Sequence, residues 1–307
     1  MYDCIVVGGG PAGLAAAVYL ARQKLSFLLL TDTIGGQTLL STDVENYLGF
    51  HLLDGVALVQ RFREHLKDYQ GAFDLREGEP AKGVVKMTGG FTVETAKGLY
   101  SGRTLLVATG TRHRTLNVPG EKELYGHGVT YCATCDAPLF GGKRVAVVGG
   151  GNSAMDAALF ATKYASRVLI ASINPELRGD AELIRKCTTH EKIRVLYSAK
   201  TTKIVGEKTV TGLQLALADG KEHTEQVDGV FIEVGVVPIS EFISFIAKNP
   251  SGEIIVDKSN ATNVEGVWAA GDVTDIPSKQ IAVAVGEGSK ASLSIISYIQ
   301  KQAWHHG

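Results

Sequence analysis

A strand that runs into a glycine-rich turn and then into a helix occurs twice in this chain, and that repeat restricts the fold more than any other feature. Gly8-x-Gly10-x-x-Gly13 stands between the strand-like DCIVV and the alanine-rich LAAAVYLAR. Gly149-x-Gly151-x-x-Ala154 stands between KRVAVV and MDAALFATKY. The first glycine allows the tight turn, the second lets backbone approach a pyrophosphate, and the third lets helix pack on strand. A second apolar strand follows each turn, FLLL and then RVLIA. Further on comes a strand that ends in glycine, LLVATG (105–110) and VFIEVG (230–235). A third such segment, VWAAGD (267–272), precedes a helical stretch from about Gln280 to Gln300. Two βαβ units of this kind belong to parallel, doubly wound sheets.

The expected architecture is α/β, with two Rossmann-like dinucleotide-binding domains and the second inserted into the first. Breakers at NVPGE (117–121) and VVPIS (236–240) mark the crossings. The expected domains are therefore 1–116 with 244–307, and 117–243. The glycine content supports this: 36 of 307 residues, where ordinary proteins carry ~7%. With 31 Lys and Arg against 32 Asp and Glu, bulk charge recruits neither nucleic acid nor an anionic membrane. No apolar run reaches the ~18 residues of a membrane span, and the N-terminus lacks a basic signal-peptide region. A cytoplasmic location is the expectation.

Asp32 follows the second strand at the distance where an acid bonds a ribose hydroxyl. The second copy has no acid at that tip, where Ser172 is expected instead. Cys132-Ala-Thr-Cys135 is the most informative short motif. Two cysteines at this spacing close a small disulfide or contribute to a metal site. Zinc needs two further ligands at suitable spacing, and Cys4 and Cys187 are isolated, so no metal is expected. Asp136 can exchange protons with a thiolate or cap a helix.

In one order along the chain come GGGPAG, GGQ (35–37), ENY (45–47), ATG (108–110), CATCD (132–136), GGGNSA (149–154), AAGD (269–272) and KQIAVAVGEGSKASLS (279–294). This series resembles the low-molecular-weight thioredoxin reductase family over essentially the whole chain. VTYCATCDAPLF (129–140) and the C-terminal stretch are closer still to the flavoprotein subunit of bacterial alkyl hydroperoxide reductase. That subunit's extra N-terminal disulfide domain is expected to be absent here. The resemblance implies FAD at the first turn, held by Gly8, Gly10, Gly13, Asp32, Gln37, Asn46, Thr109, Gly110, Asp272, Gln280 and Ile281. It implies NADH or NADPH at the second, held by Gly149, Gly151, Asn152, Ser153, Ala154, Ser172 and Arg178. Cys135 matches the sulfur nearest the flavin, Cys132 the one that attacks a partner disulfide, and Asp136 the general acid. The family is usually homodimeric, and rotates one domain against the other about hinges that match 117–120 and 238–242.

The chain departs from the family in two places. His127 stands where thioredoxin-docking members carry an arginine, and Ala137-Pro138-Leu139-Phe140 replaces an aromatic pair. Ser172-Ile173-Asn174 and Arg178 replace an HRRxxxR segment that binds the NADPH phosphate. The expected function is an FAD-dependent disulfide reductase that passes electrons from NAD(P)H to a thioredoxin- or glutaredoxin-like protein, with NADH used at least as well as NADPH. A dithiol oxidase acting on small thiols with oxygen, and a reductase fed by ferredoxin, are the alternatives. A non-enzymatic module with a structural CxxC is the bland reading.

Overall fold

The computed structural model describes residues 1–41, 44, 46–131 and 133–305. The chain begins β1 (Tyr2–Val7), α1 (Pro11–Arg22), β2 (Phe27–Thr31), α2 (Gly55–Lys67), β3 (Asp74–Glu77), β4 (Gly83–Met87), β5 (Gly90–Glu94), β6 (Leu99–Val107) and β7 (Thr111–His113). It continues with β8 (Val129–Thr130), α3 (Ala133–Asp136), β9 (Arg144–Val148), α4 (Asn152–Ala161), β10 (Arg167–Ala171), α5 (Ala181–Thr189) and β11 (Ile193–Leu196). Then come β12 (Lys200–Gly206), β13 (Val210–Ala216), β14 (Glu222–Glu225), β15 (Gly229–Ile232), β16 (Val236–Pro238), β17 (Val267–Ala269) and α6 (Ile281–His305).

The chain forms two compact units. The first comprises Met1–Arg112 with Val237–Gly307, and the second His113–Val236. In the first, the strand order is β3-β2-β1-β6-β5-β4, with β17 also paired to β6. The pairs joining β3, β2, β1, β6 and β17 are parallel, and β4–β5–β6 is an antiparallel meander. Alternate residues of β1 feed opposite faces. Cys4 and Val6 pack with α1 and α6, and Ile5 and Val7 pack with Val84, Phe91 and Ile254. A sheet covered on both faces requires strands apolar throughout, which is why β2 reads FLLL and is buried along its length. Gly288 permits α6 to lie against the start of α1, because a Cβ there would meet the Ala12 carbonyl oxygen at 1.9 Å. The helix α6 runs on to His305.

The second unit repeats the plan. Its sheet, β11-β10-β9-β15-β8, is parallel throughout. Val145 and Val147 face α4, while Ala146 and Val148 face the antiparallel β12-β13-β14 sheet through Leu213 and Leu215. The crossings fall before the first breaker segment and within the second. NVPGE lies inside the second unit because it is bound there: the Ile204 amide donates to the Pro119 carbonyl, and the Glu121 carboxylate accepts the amides of Leu116 and Asn117.

Candidate redox and nucleotide sites

In the first unit β1, β2, β6 and β17 run parallel. The segments after their carboxyl ends therefore share one edge of the sheet, where doubly wound folds bind ligands. Gly8 has φ +117°, and a Cβ on it would meet the Ala108 carbonyl oxygen at 2.2 Å. A Cβ on Gly13 would lie 1.8 Å from the Gly8 carbonyl oxygen. Gly10 caps α1 without a side-chain bond, and a Cβ there would meet nothing within 4 Å. The first amides of α1 thus lie behind an open position suited to an anion.

The turn is pinned by Thr31, whose Oγ1 accepts the Gly9 amide at 2.9 Å. Asp32 follows it, exposed. The GGQ turn is joined to the fingerprint by the Gly35 amide, which donates to the Gly9 carbonyl at 2.7 Å. Gln37 Nε2 donates to the Thr111 carbonyl at 2.8 Å. Thr109 donates its hydroxyl to the Ile239 carbonyl, and the Gly110 carbonyl accepts the Ile239 amide. Asn46 Nδ2 donates to Gln280 Oε1 at 2.9 Å, and Ile281 opens α6. Asp272 follows β17 half-buried, and desolvation lifts its pKa above the usual carboxylate range against the pull of Lys279. The open position at Gly10, an exposed acid beyond β2 and a half-buried acid beyond β17 fit a dinucleotide such as FAD.

The second unit sets β8, β9, β10 and β15 parallel in the same way. Gly149 has φ +152° and faces the Glu233 carbonyl, so Glu233 occupies the place that Ala108 holds in the first unit. Gly151 caps α4 without a side-chain bond, and the nearest atom to a Cβ there is the Arg178 carbonyl oxygen at 4.0 Å. Ala154 is fully buried. Asn152 Oδ1 accepts the Asp180 amide at 2.8 Å, and Ser153 is exposed in the first turn of α4. The Arg178 amide donates to the Gly150 carbonyl at 2.8 Å, which brings this arginine to the fingerprint.

Ser172 corrects one expectation. It is 0% exposed, lies under Gly150, and its Oγ accepts the Asn174 amide. The Gly8 and Gly149 amides donate to Leu30 and Ala171 respectively. Ser172 therefore matches Thr31, and the position matching Asp32 is Ile173, which is 63% exposed. Counting from the apolar run alone misplaces the strand tip by one residue.

The redox motif follows β8 on the edge that carries this second fingerprint. Cys132 lies outside the described residues, as does the Cys135 side chain; the Cys135 backbone belongs to α3. Asp136 is half-buried at the end of α3 and makes no capping bond among the described residues. Two carboxylates near the segment went unassigned from sequence. Glu121, 2% exposed, accepts the Tyr131 hydroxyl at 2.7 Å. Glu233, half-buried just after β15, has its carboxyl raised by burial to about 7, with the Ala133 backbone opposing the rise and Asp156 adding to it. The signal for the latter is an acid closing an otherwise apolar strand in VFIEVG. Cys4 and Cys187 are buried filler, their thiols pushed up by burial to about 12 and about 11. Among the described residues no group of His, Cys, Asp and Glu is arranged to hold a metal, and no helix is long and apolar enough to cross a membrane.

The pyridine nucleotide-disulphide oxidoreductase model matches residues 2–288. The alkyl hydroperoxide reductase F subunit of Pseudomonas putida is 40% identical over 97% of this chain and 58% of its own length. A Bacillus subtilis protein named NADH dehydrogenase is 37% identical over 97% of this chain and 58% of its own length. The chain thus spans less than two thirds of these relatives. Thioredoxin reductase of Lactococcus lactis, in its FR conformation, superposes with a TM-score of 0.84 and 30% identity, covering 98% of this chain and 100% of that one.

Proposed function

The chain belongs to the pyridine nucleotide-disulphide oxidoreductase family, and from that premise we propose that it is an FAD-dependent disulfide reductase. Electrons pass from a nicotinamide nucleotide through the Cys132–Cys135 pair to a small thioredoxin- or glutaredoxin-like protein disulfide. The observation that carries this reading is the shared edge of the second unit's sheet, where the β8 segment leading into CATCD and an open fingerprint at Gly151 stand together.

Flavin, when bound, converts a two-electron hydride into reduction of a disulfide. The protein's part is to bind and position. Gly8, Gly10 and Gly13 open the first turn to a pyrophosphate, Asp32 bonds a ribose hydroxyl, and Asp272 bonds the polyol chain. Gln37, Asn46, Thr109, Gly110, Gln280 and Ile281 complete that site. Cys132 as thiolate attacks one sulfur of the partner disulfide, forms a mixed disulfide and releases the other sulfur, which takes a proton from Asp136. Cys135 then attacks Cys132, releases the second partner thiol and restores the internal disulfide. In Cys135→Ser the mixed disulfide is trapped, and the protein captured with it identifies the partner.

NADH serves at least as well as NADPH. Gly149, Gly151, Asn152, Ser153 and Ala154 receive the pyrophosphate, with Ile173, Asn174 and Arg178 at the adenosine end. A 2′-phosphate calls for arginines in fork geometry, and the tip offers Ile173 and Asn174 with Arg178 alone beyond them. The Bacillus relative's name points the same way. Steady-state kcat/KM for the two nucleotides tests it, and a tenfold preference for NADPH overturns it. A homodimer formed through the first unit and a cytoplasmic location complete the reading. Sedimentation that returns a monomer at micromolar concentration removes the dimer.

A further inference from the structure

We infer that Tyr197 covers one face of the adenine of the nicotinamide nucleotide, with Ile173 as the apolar wall beside it. The inference rests on the disulfide reductase reading above, which sets the adenosine end of that nucleotide beyond β10. Three observations carry it: a register, a break in that register, and exposure. β10 and β11 run parallel with Ala171 opposite Leu196, so Ser172 and Tyr197 are the next pair, on the carboxyl edge where the fingerprint stands. There the pairing breaks. A residue in a parallel ladder bonds partners two places apart. The Ser172 amide donates to the Leu196 carbonyl, yet the Ser172 carbonyl accepts the Ala199 amide, three places on. The extra residue makes a bulge of Tyr197 and Ser198. The Ser198 amide donates to the Asn174 carbonyl at 2.9 Å, and Ser198 has φ +49°. Bulges re-aim side chains beside active sites, and a left-handed serine is strain that the surrounding contacts maintain.

Tyr197 is 41% exposed and Ile173 63%. Among the described residues no ring stacks on Tyr197 and no hydrogen bond engages its hydroxyl. Single exposed apolar side chains need no explanation. Here two stand at the tips of adjacent strands, which lie about 4.8 Å apart, on the edge where Gly151 leaves α4 open to a pyrophosphate. Adenine is flat, uncharged and apolar on both faces, and it belongs to the same ligand. A tyrosine ring and a branched alkyl chain suit those faces, and aromatic stacking holds a base whatever its ribose carries. The grip supplies affinity that a strand tip without arginines cannot draw from a phosphate.

The test is titration calorimetry of the FAD-loaded protein with ADP-ribose, which carries the adenosine and pyrophosphate without the nicotinamide. Tyr197→Ala is expected to weaken binding about tenfold, the scale of one lost base–aromatic stack. Tyr197→Phe keeps the ring and is expected to bind within about twofold of the parent. The side chain is exposed and carries no core, so both variants should unfold at the parent's temperature. An unchanged affinity in Tyr197→Ala overturns the inference, as does a loss in Tyr197→Phe equal to that in Tyr197→Ala, or a parent that ADP-ribose does not bind. A loss in Tyr197→Ala that comes with a lower unfolding temperature overturns it too, and assigns the residue to holding the bulge. The titration needs neither hydride transfer nor the cysteines, so failure here is separate from failure of the reductase reading, which appears as a flavin that neither nucleotide reduces.

Discussion

The two fingerprints share a turn and an open glycine at the helix cap, and differ beyond the second strand. In both, a positive-φ glycine faces a strand-end carbonyl, Ala108 in one and Glu233 in the other. In both, a hydroxyl closing the second strand lies under the middle glycine, Thr31 in one and Ser172 in the other. Beyond that hydroxyl the copies part, to Asp32 in the first unit and Ile173 in the second. The third small residue differs as well, with Gly13 against the Gly8 carbonyl and Ala154 in its counterpart position. The common part is what backbone sterics dictate, and the rest is free to follow the ligand.

The largest expected effect exchanges the third residue. Gly13→Ala drives a methyl to 1.8 Å from a backbone oxygen, and should cost more than about 3 kcal/mol and release FAD. Ala154→Gly, the reverse change, loses one buried methyl and adds backbone freedom, for about 1–2 kcal/mol. Thermal unfolding with flavin fluorescence compares them; equal losses would show that the two turns pack alike.

The strand tip comes next. Ile173→Asp gives the second unit the acid that the first has in Asp32, and should raise the NADH-to-NADPH ratio of kcat/KM about tenfold. Arginines at 173 and 174 together should shift the ratio as far the other way. If neither ratio moves, the Asp32–Ile173 equivalence is wrong.

The smallest effect concerns the pins. Thr31→Val strands the Gly9 amide and should cost about 1–2 kcal/mol. Ser172→Ala removes a longer bond, from the Asn174 amide at 3.2 Å, and should cost about 1 kcal/mol or less with nucleotide KM little changed. A large rise in KM would return Ser172 to the ribose.

Sequence made the fold legible because glycine spacing reports steric demands that only a few backbones meet. Gly8, Gly10, Gly13, Gly149 and Gly151 stand where the spacing placed them. The errors came where the physics is not local. The amide bonds of Gly8 to Leu30 and of Gly149 to Ala171 match Asp32 with Ile173 and not with Ser172, an alignment that the apolar run does not reveal. The crossing at 112/113 precedes NVPGE, because Glu121 and Ile204 bind that segment to the second unit.

The central claim, that this chain carries electrons from a nicotinamide to its CxxC pair, is tested most directly by anaerobic titration of the FAD-loaded protein with NADH. Flavin absorbance and free thiols are followed together. The account predicts that the flavin bleaches and two new thiols appear in the parent. In Cys135→Ser the flavin should still bleach and no thiols should form. A flavin that NADH and NADPH both leave oxidised, or thiols that never appear in the parent, would contradict it.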